Sequence, residues 1–155
     1  MPDRYARHRE YVAAQKHIGV DCHMARFSEK SARCNKSGAT WKRHEEKETD
    51  VHFCLTFLED AIDDIFDRAI IISADSDIVP SVRAVRRRLP GKQVFLATPP
   101  NRHSSARELL KACHSGTAIT AGRIEKCLLP ETIVDANGKQ IAKRPASYAP
   151  PAGTP

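Results

Sequence analysis

Apolar side chains recur along the 155 residues in more than one rhythm, and each rhythm predicts a different element. Residues 3 to 17, DRYARHREYVAAQKH, set Tyr5, Tyr11, Val12 and Ala13 among charged neighbours and lead to Gly19, which predicts a helix closed by a glycine cap. GVDCHMARF alternates apolar and polar positions and predicts a short strand. From Ser28 to Lys47 the chain is polar, lysine-rich and without period, the pattern of a long mobile loop.

The centre of the chain is more regular. From Asp50 to Arg68 the pattern is helical: at about 100° per residue Val51, Cys54, Leu55, Leu58, Ala61, Ile62 and Ile65 share one broad face. Glu59, Asp60, Asp63, Asp64 and Asp67 form the opposite, solvated face. AIIIS, residues 69 to 73, is β-branched without alternation, as in a parallel strand covered on both faces. A helix from about Ile78 to Leu89 follows, then a turn and a two-sided strand from Gln93 to Ala97. Ser104 or Ser105 can cap a helix running to about His114, and TAIT supplies a further strand. This alternation predicts an α/β fold of three layers, a mostly parallel sheet with helices on both faces.

That domain is expected over residues 1–130. TIVDANGKQIAKRP carries Asn-Gly between two short alternating runs and predicts a hairpin over 131–144. Proline and alanine dominate 145–155, which predicts a disordered tail.

Charge widens the range of partners. Lys plus Arg number 25 against 19 Asp plus Glu, a formal net charge of +6 with a pI near 9.2, which suits a polyanion as well as an ordinary basic surface. No stretch reaches the roughly 18 to 20 apolar residues of a membrane span, and MPDRYARHREY has no apolar core of a signal peptide. Five irregularly spaced cysteines make no disulfide framework, so a reducing, cytoplasmic setting is expected. Cys22, His23, Cys34, His44 and His52 match no common zinc spacing.

The chemistry concentrates in IIISADSDIVP, residues 70 to 80. In an open parallel sheet ligands bind beyond the carboxyl ends of the strands, where Asp75 and Asp77 stand. Two carboxylates that close repel each other, and a divalent Mg²⁺ or Mn²⁺ with hard oxygen ligands resolves the repulsion. The plainer alternative is that one caps the next helix while the other is solvated. Asp50 lies at the edge of its helix's apolar stripe and leans toward the sheet, or serves its helix as a first-turn acid. Arg83, Arg86, Arg87, Arg88 and Lys92, with Arg102, His103 and Arg107, form either a phosphate-contacting rim or an ordinary basic surface. Trp41 is placed to stack on a base or to pack its loop against the domain.

Glu46, Lys47, Asp50 and Val51, followed by Ser73, Asp75, Ser76, Asp77 and Pro80, spell E-K-x-x-D-V, a helix, a strand and S-x-D-S-D-x-x-P. This resembles the NYN domain of the PIN-like nuclease superfamily, the bacterial LabA type, over about residues 3 to 130 and most strongly over 45 to 98. The resemblance implies a sheet whose carboxyl edge gathers acids around one or two Mg²⁺ or Mn²⁺ ions for hydrolysis of RNA phosphodiesters. It makes Asp50, Asp75 and Asp77 metal ligands, directly or through water, with Ser73 and Ser76 donating to the carboxylates or the substrate.

The family pattern opens with an apolar strand ending in Asp-x-x-Asn, central in the sheet, and no such run precedes the first helix here. Asp3 has no apolar run before it. The expectation is a shortened protein, or a homodimer or strand-donating partner that supplies the strand. Two other readings stay open. One is a non-catalytic RNA-binding or regulatory module. The other is a phosphatase of the haloacid dehalogenase kind, for which the downstream lysine and acidic pair are not evident.

Overall fold

A computed structural model describes residues 2–150, with side chains from residue 4 onward. The chain divides into two compact units, Met24–Thr120 and a second made of Met1–His23 with Ala121–Pro155. The first helix and the C-terminal hairpin therefore share a unit, whereas the expected division kept the helix with the sheet.

In that second unit, helix α1 spans Pro2–His17. Gly19, at φ 92°, ends it: the N–H of Gly19 donates to the carbonyl of Lys16 at 3.1 Å and that of Val20 to Gln15 at 3.0 Å, a Schellman closure. Ala14 of α1 packs with Ile133 and Ala142, and Glu10 Oε2 accepts the N–H of Lys143 at 2.9 Å.

The remaining elements appear in chain order. Strands β1 (Arg26–Arg33) and β2 (Thr40–Lys47) pair antiparallel. Helix α2 (Thr49–Ile62), strand β3 (Arg68–Ile72), helix α3 (Val79–Arg88) and strand β4 (Gln93–Thr98) follow. A 3₁₀ turn over His103–Ala106 leads into helix α4 (Arg107–Ala112) and strand β5 (Ser115–Ala118). Helix α5 (Ala121–Glu125) precedes the hairpin of β6 (Thr132–Val134) and β7 (Gln140–Lys143). Its turn is closed by Asp135 Oδ1, which accepts from the N–H groups of Asn137 and Lys139, both at 2.9 Å. A 3₁₀ turn over Ala146–Tyr148 lies within the segment expected to be disordered, and residues 151–155 of that expectation fall outside the described residues.

The expected loop over 28–47 is a β-ribbon with eight paired positions. It has no apolar period because charge holds its two strands together. Lys30 meets Glu45 at 2.7 Å and Lys42 meets Glu29 at 2.7 Å, each pair diagonal across the ladder. Gly38, at φ 69°, makes the turn possible.

The core sheet is parallel in the order β3-β4-β5, with Ile71 opposite Leu96 and Ala97 opposite Thr117. Phe57 and Ala61 of α2, Val82 and Val85 of α3, and Leu109 and Ala112 of α4 bury against Ile71, Val94 and Leu96. These strand residues alternate onto one face, so the three helices cover the same side. The other side was expected to be covered too, yet at β3 it is open: Ile70 is 71% and Ile72 67% exposed. Along α2 only Cys54, Phe57, Leu58 and Ala61 join the core, while Val51, Leu55 and Ile62 of the expected apolar stripe face solvent.

Helix α2 also stops at Ile62, six residues before the expected Arg68. Asp64 takes a left-handed φ of 59°, and the N–H of Ile65 donates to Asp60 at 2.9 Å. Aspartate tolerates this conformation better than most residues, so the helix ends without a glycine to announce it. Lys92, expected in the basic rim, is instead nearly buried. Its ammonium pairs with Asp64, lies 3.7 Å from Asp67 and sits over the ring of Phe66.

Candidate active site

Six residues separate the end of β3 from the start of α3, and two side chains shape that turn. Ser73 Oγ accepts the N–H of Asp75 at 3.0 Å, and Asp75 Oδ1 accepts the N–H of Asp77 at 3.0 Å. The carbonyl of Ser76 then accepts from Val79 at 3.1 Å, and the buried Ser81 hydroxyl donates to Ile78 at 2.7 Å. Pro80 occupies the first turn of α3, where its missing N–H costs nothing. The SADSD segment thus wraps its own backbone. Asp75, Ser76 and Asp77 remain exposed at the carboxyl end of the strand, and Ser73 is half-buried.

Neither aspartate caps α3, whose N-cap is Ile78 with no side-chain bond. The nearby positive end of that helix and surrounding water moderate the repulsion between the two carboxylates. Asp75 Oδ2 takes no part in the turn, and Asp77 is exposed.

Asp50 is exposed in the first turn of α2. That helix ends at the amino edge of the sheet, where Lys92 holds Asp64 just before β4, so its first turn points away from that edge. Among the described residues, however, no three His, Cys, Asp or Glu side chains gather as a metal cage would require. The structure brings Asp75 and Asp77 into one turn and leaves Asp50 apart from them. Two exposed carboxylates suit the habits of Mg²⁺, which keeps several waters and is commonly held by one or two carboxylates plus substrate phosphate.

A groove of about 550 Å³ opens beyond the end of the neighbouring strand β4, lined by Asn101, His103, Ser104, Arg107 and Leu110. Thr98, fully buried at that strand's end, lies 3.0 Å from His103 Nδ1 and 3.4 Å from the Thr117 carbonyl. If the Thr98 hydroxyl proton goes to Thr117, its oxygen accepts from His103, and Nε2 is the imidazole nitrogen turned to the groove. The sequence offers Ser104 only as a helix cap and gives Asn101 no site role. Pro99-Pro100-Asn101 announces a turn, and Asn101 takes φ 61° there, but nothing in it announces a groove.

Arg83, Arg86 and Arg87 lie further along α3. At a rise of 1.5 Å per residue, Arg83 and Arg87 stand about 6 and 12 Å along the axis from Val79, away from the carboxylates. With Lys111 and Ala112 of α4 they line a second groove of about 370 Å³. Arg86 is half-buried there and donates from Nη1 to the carbonyls of Ala112 at 2.7 Å and Cys113 at 3.3 Å. Glu108 is the counter-charge, 2.9 Å from Lys111 and 3.8 Å from Arg83, and Lys111 first, Arg83 last, hold its carboxyl below the usual range. Lys111 joins this set through helix packing, which leaves no local sequence signal.

The family model of the NYN domain matches residues 3–120, the span that holds the aspartate turn and both grooves. The chain belongs to the NYN domain family. A curated relative of this NYN protein, 6-hydroxy-3-succinoylpyridine 3-monooxygenase HspA of Pseudomonas putida (strain DSM 28022 / S16), is 30% identical over 110 residues. These make up 70% of the present chain and 34% of that protein, so the chain spans about a third of the relative's length. No solved structure matches. No helix among the described residues is long and apolar enough to cross a membrane.

Proposed function

We propose that this NYN domain is a Mg²⁺- or Mn²⁺-dependent endoribonuclease that hydrolyses RNA phosphodiesters at the carboxyl end of β3. The observation that carries the reading is the turn in which Ser73 and Asp75 fix the backbone so that Asp75 and Asp77 both face solvent at a parallel strand's end. Asp75 and Asp77 would hold the ion, and Asp50 would reach it through water. When bound, the ion supplies charge that offsets the phosphate's repulsion from the carboxylates and a Lewis acid for the attack of water. The chain's own part is positional: Ser76 meets a phosphate oxygen at the turn, and the α3 arginines hold the strand beyond it. Arg83 and Arg87 serve as direct phosphate contacts, and Arg86, committed to Ala112 and Cys113, keeps the groove between α3 and α4 in shape.

The PIN-like, three-layer form of the fold belongs to the same proposal. β3 is an edge strand whose outer side has no partner among the described residues, and Ile70 and Ile72 are bare beside it. A strand added there, from a second copy or from a partner chain, would pair the open edge and bury both isoleucines. It would end beside Asp75. Unpaired cysteines at all five positions support a reducing, cytoplasmic setting.

The deciding experiment incubates purified protein with single-stranded RNA and Mn²⁺. Cleavage that disappears in Asp75→Asn supports the reading, and equal cleavage by the variant sinks it. A second reading, a non-catalytic RNA-binding module, is favoured by the pair of gathered acids where a cage needs three. It predicts RNA binding without metal-dependent cleavage by the parent protein.

A further inference from the structure

The register of the β1–β2 ribbon sorts its side chains onto two faces of different character. Trp41, Arg43, Glu45 and Lys47 share one face with Ala32, Lys30, Ser28 and Arg26. Thr40, Lys42, His44 and Glu46 share the other with Arg33, Ser31, Glu29 and Phe27. The first face carries four Lys or Arg against one carboxylate, and the second two against two. Glu45 already serves Lys30 at 2.7 Å and Lys47 at 3.1 Å. Arg26 and Arg43 are left on that face with no carboxylate partner among the described residues, and both are exposed.

On the same face Trp41, the chain's single tryptophan, is 51% exposed. Its position opposite Ala32 leaves the indole a small neighbour across the ladder. An exposed flat π system with one unpaired guanidinium two residues along its strand and a second at the far end of the same face, about 20 Å away, fits an extended ligand with stackable faces joined by negative charges. An acidic peptide would answer the arginines but bring no flat ring to the indole, and a duplex keeps its bases stacked on one another.

We propose that the Trp41 face of the ribbon is a binding platform for single-stranded nucleic acid, with one base stacked on Trp41, the adjacent phosphate on Arg43 and a phosphate a few nucleotides further along on Arg26. It rests on the RNA-binding part of the proposed function and adds a contact surface separate from the aspartate turn.

Because the chain has one tryptophan, its fluorescence reports on this site alone. A short uridine-rich RNA is titrated in EDTA, with tryptophan emission and anisotropy of a labelled RNA followed together. The platform predicts quenching that saturates along the anisotropy curve. It predicts that Trp41→Ala weakens binding about 5- to 100-fold, while Trp41→Phe, which keeps a ring, retains most of the affinity. Arg26→Gln with Arg43→Gln should lower the slope of log K against log salt by about 1.4. RNA binding with unchanged emission, and with equal affinity in Trp41→Ala, overturns the proposal. So does quenching by polyglutamate or duplex RNA but not by the single strand. Cleavage with Mn²⁺ is scored separately: quenching without cleavage leaves the platform standing and removes the nuclease reading alone.

Discussion

Asp75 Oδ1 accepts the backbone N–H of Asp77 at 3.0 Å, so one carboxylate of the pair fixes the position of the other. Asp75 therefore has a structural duty that an uncharged acceptor can perform and, under the proposed function, a chemical one that it cannot. Asp75→Asn keeps an oxygen for the Asp77 N–H and should stay within about 0.5 kcal/mol of the parent in stability, while metal-dependent RNA cleavage falls on the order of a hundredfold or more. Asp75→Ala should lose cleavage and about 1 kcal/mol of stability as well. Thermal melts and cleavage rates on the same preparations separate the two duties, and a stable Asn variant with full activity would remove Asp75 from the site.

Three of the four arginines of α3 should likewise divide by role. Arg86 satisfies the carbonyls of Ala112 and Cys113, which lie in a buried stretch between α4 and β5. Truncating it leaves acceptors without their donor, so Arg86→Ala should cost about 1 to 3 kcal/mol in urea denaturation. Arg83 and Arg87 are exposed, and their glutamine variants should change stability by less than about 0.5 kcal/mol. Each should instead reduce the salt dependence of RNA binding by a slope of about 0.7. An Arg83→Gln, Arg87→Gln protein with unchanged RNA affinity would leave the α3 groove without a substrate role.

The elements legible in the sequence were those whose signals are local. Gly19 announced the end of α1, the run AIIIS announced β3, and Ser73 through Pro80 announced the turn that carries the aspartates. What stayed hidden depends on partners distant in the chain. The ribbon read as a loop because its strands are held by Lys30–Glu45 and Lys42–Glu29, pairs visible only once the register is known. The end of α2 was obscured because Asp64, not glycine, takes the left-handed conformation. Lys92 read as a surface cation because its partners, Asp64 and Asp67, precede it by an entire βα unit. The aspartate pair was found by its spacing. Whether Asp50 joins it is a question of tertiary distance, on which helical periodicity says nothing.

The ribbon's charge pairing gives it an acid sensitivity. Hydrogen bonds and charge from Lys30 and Lys47 hold the Glu45 carboxyl down at about 2, against an unfolded value of about 4.3. A folded value below the unfolded one contributes stability that is present above about pH 4.3 and disappears as pH falls toward 2. Glu45 is half-buried at the ribbon surface, so salt should weaken the effect. Emission from Trp41, four residues away on the same face, should change over that acid range. Glu45→Gln should flatten the transition, and a parent protein whose ribbon signal is constant from pH 5 to about pH 2 would contradict the assignment.

Gly116 tests the close packing that lets α4 return the chain to β5. A Cβ at this position would lie 2.5 Å from Leu110 Cδ1, 3.0 Å from the Leu96 carbonyl oxygen and 3.1 Å from Leu96 Cβ. Leu110 has a flexible end and can turn aside. Leu96 cannot, because it is fully buried in β4 and paired directly opposite Gly116. Gly116→Ala must therefore push β5 away from β4 or α4 away from the sheet, at a cost of about 1 to 3 kcal/mol. Gly91, where a Cβ meets nothing within 4 Å, is the matched control. Gly91→Ala should be neutral or stabilise by up to about 1 kcal/mol, since it restricts the unfolded chain without a clash. Urea denaturation of both variants decides it. Equal midpoints would mean that β5 can shift freely, and the carboxyl-edge groove beyond β4 would then lack the rigid wall that Thr98 and Thr117 give it.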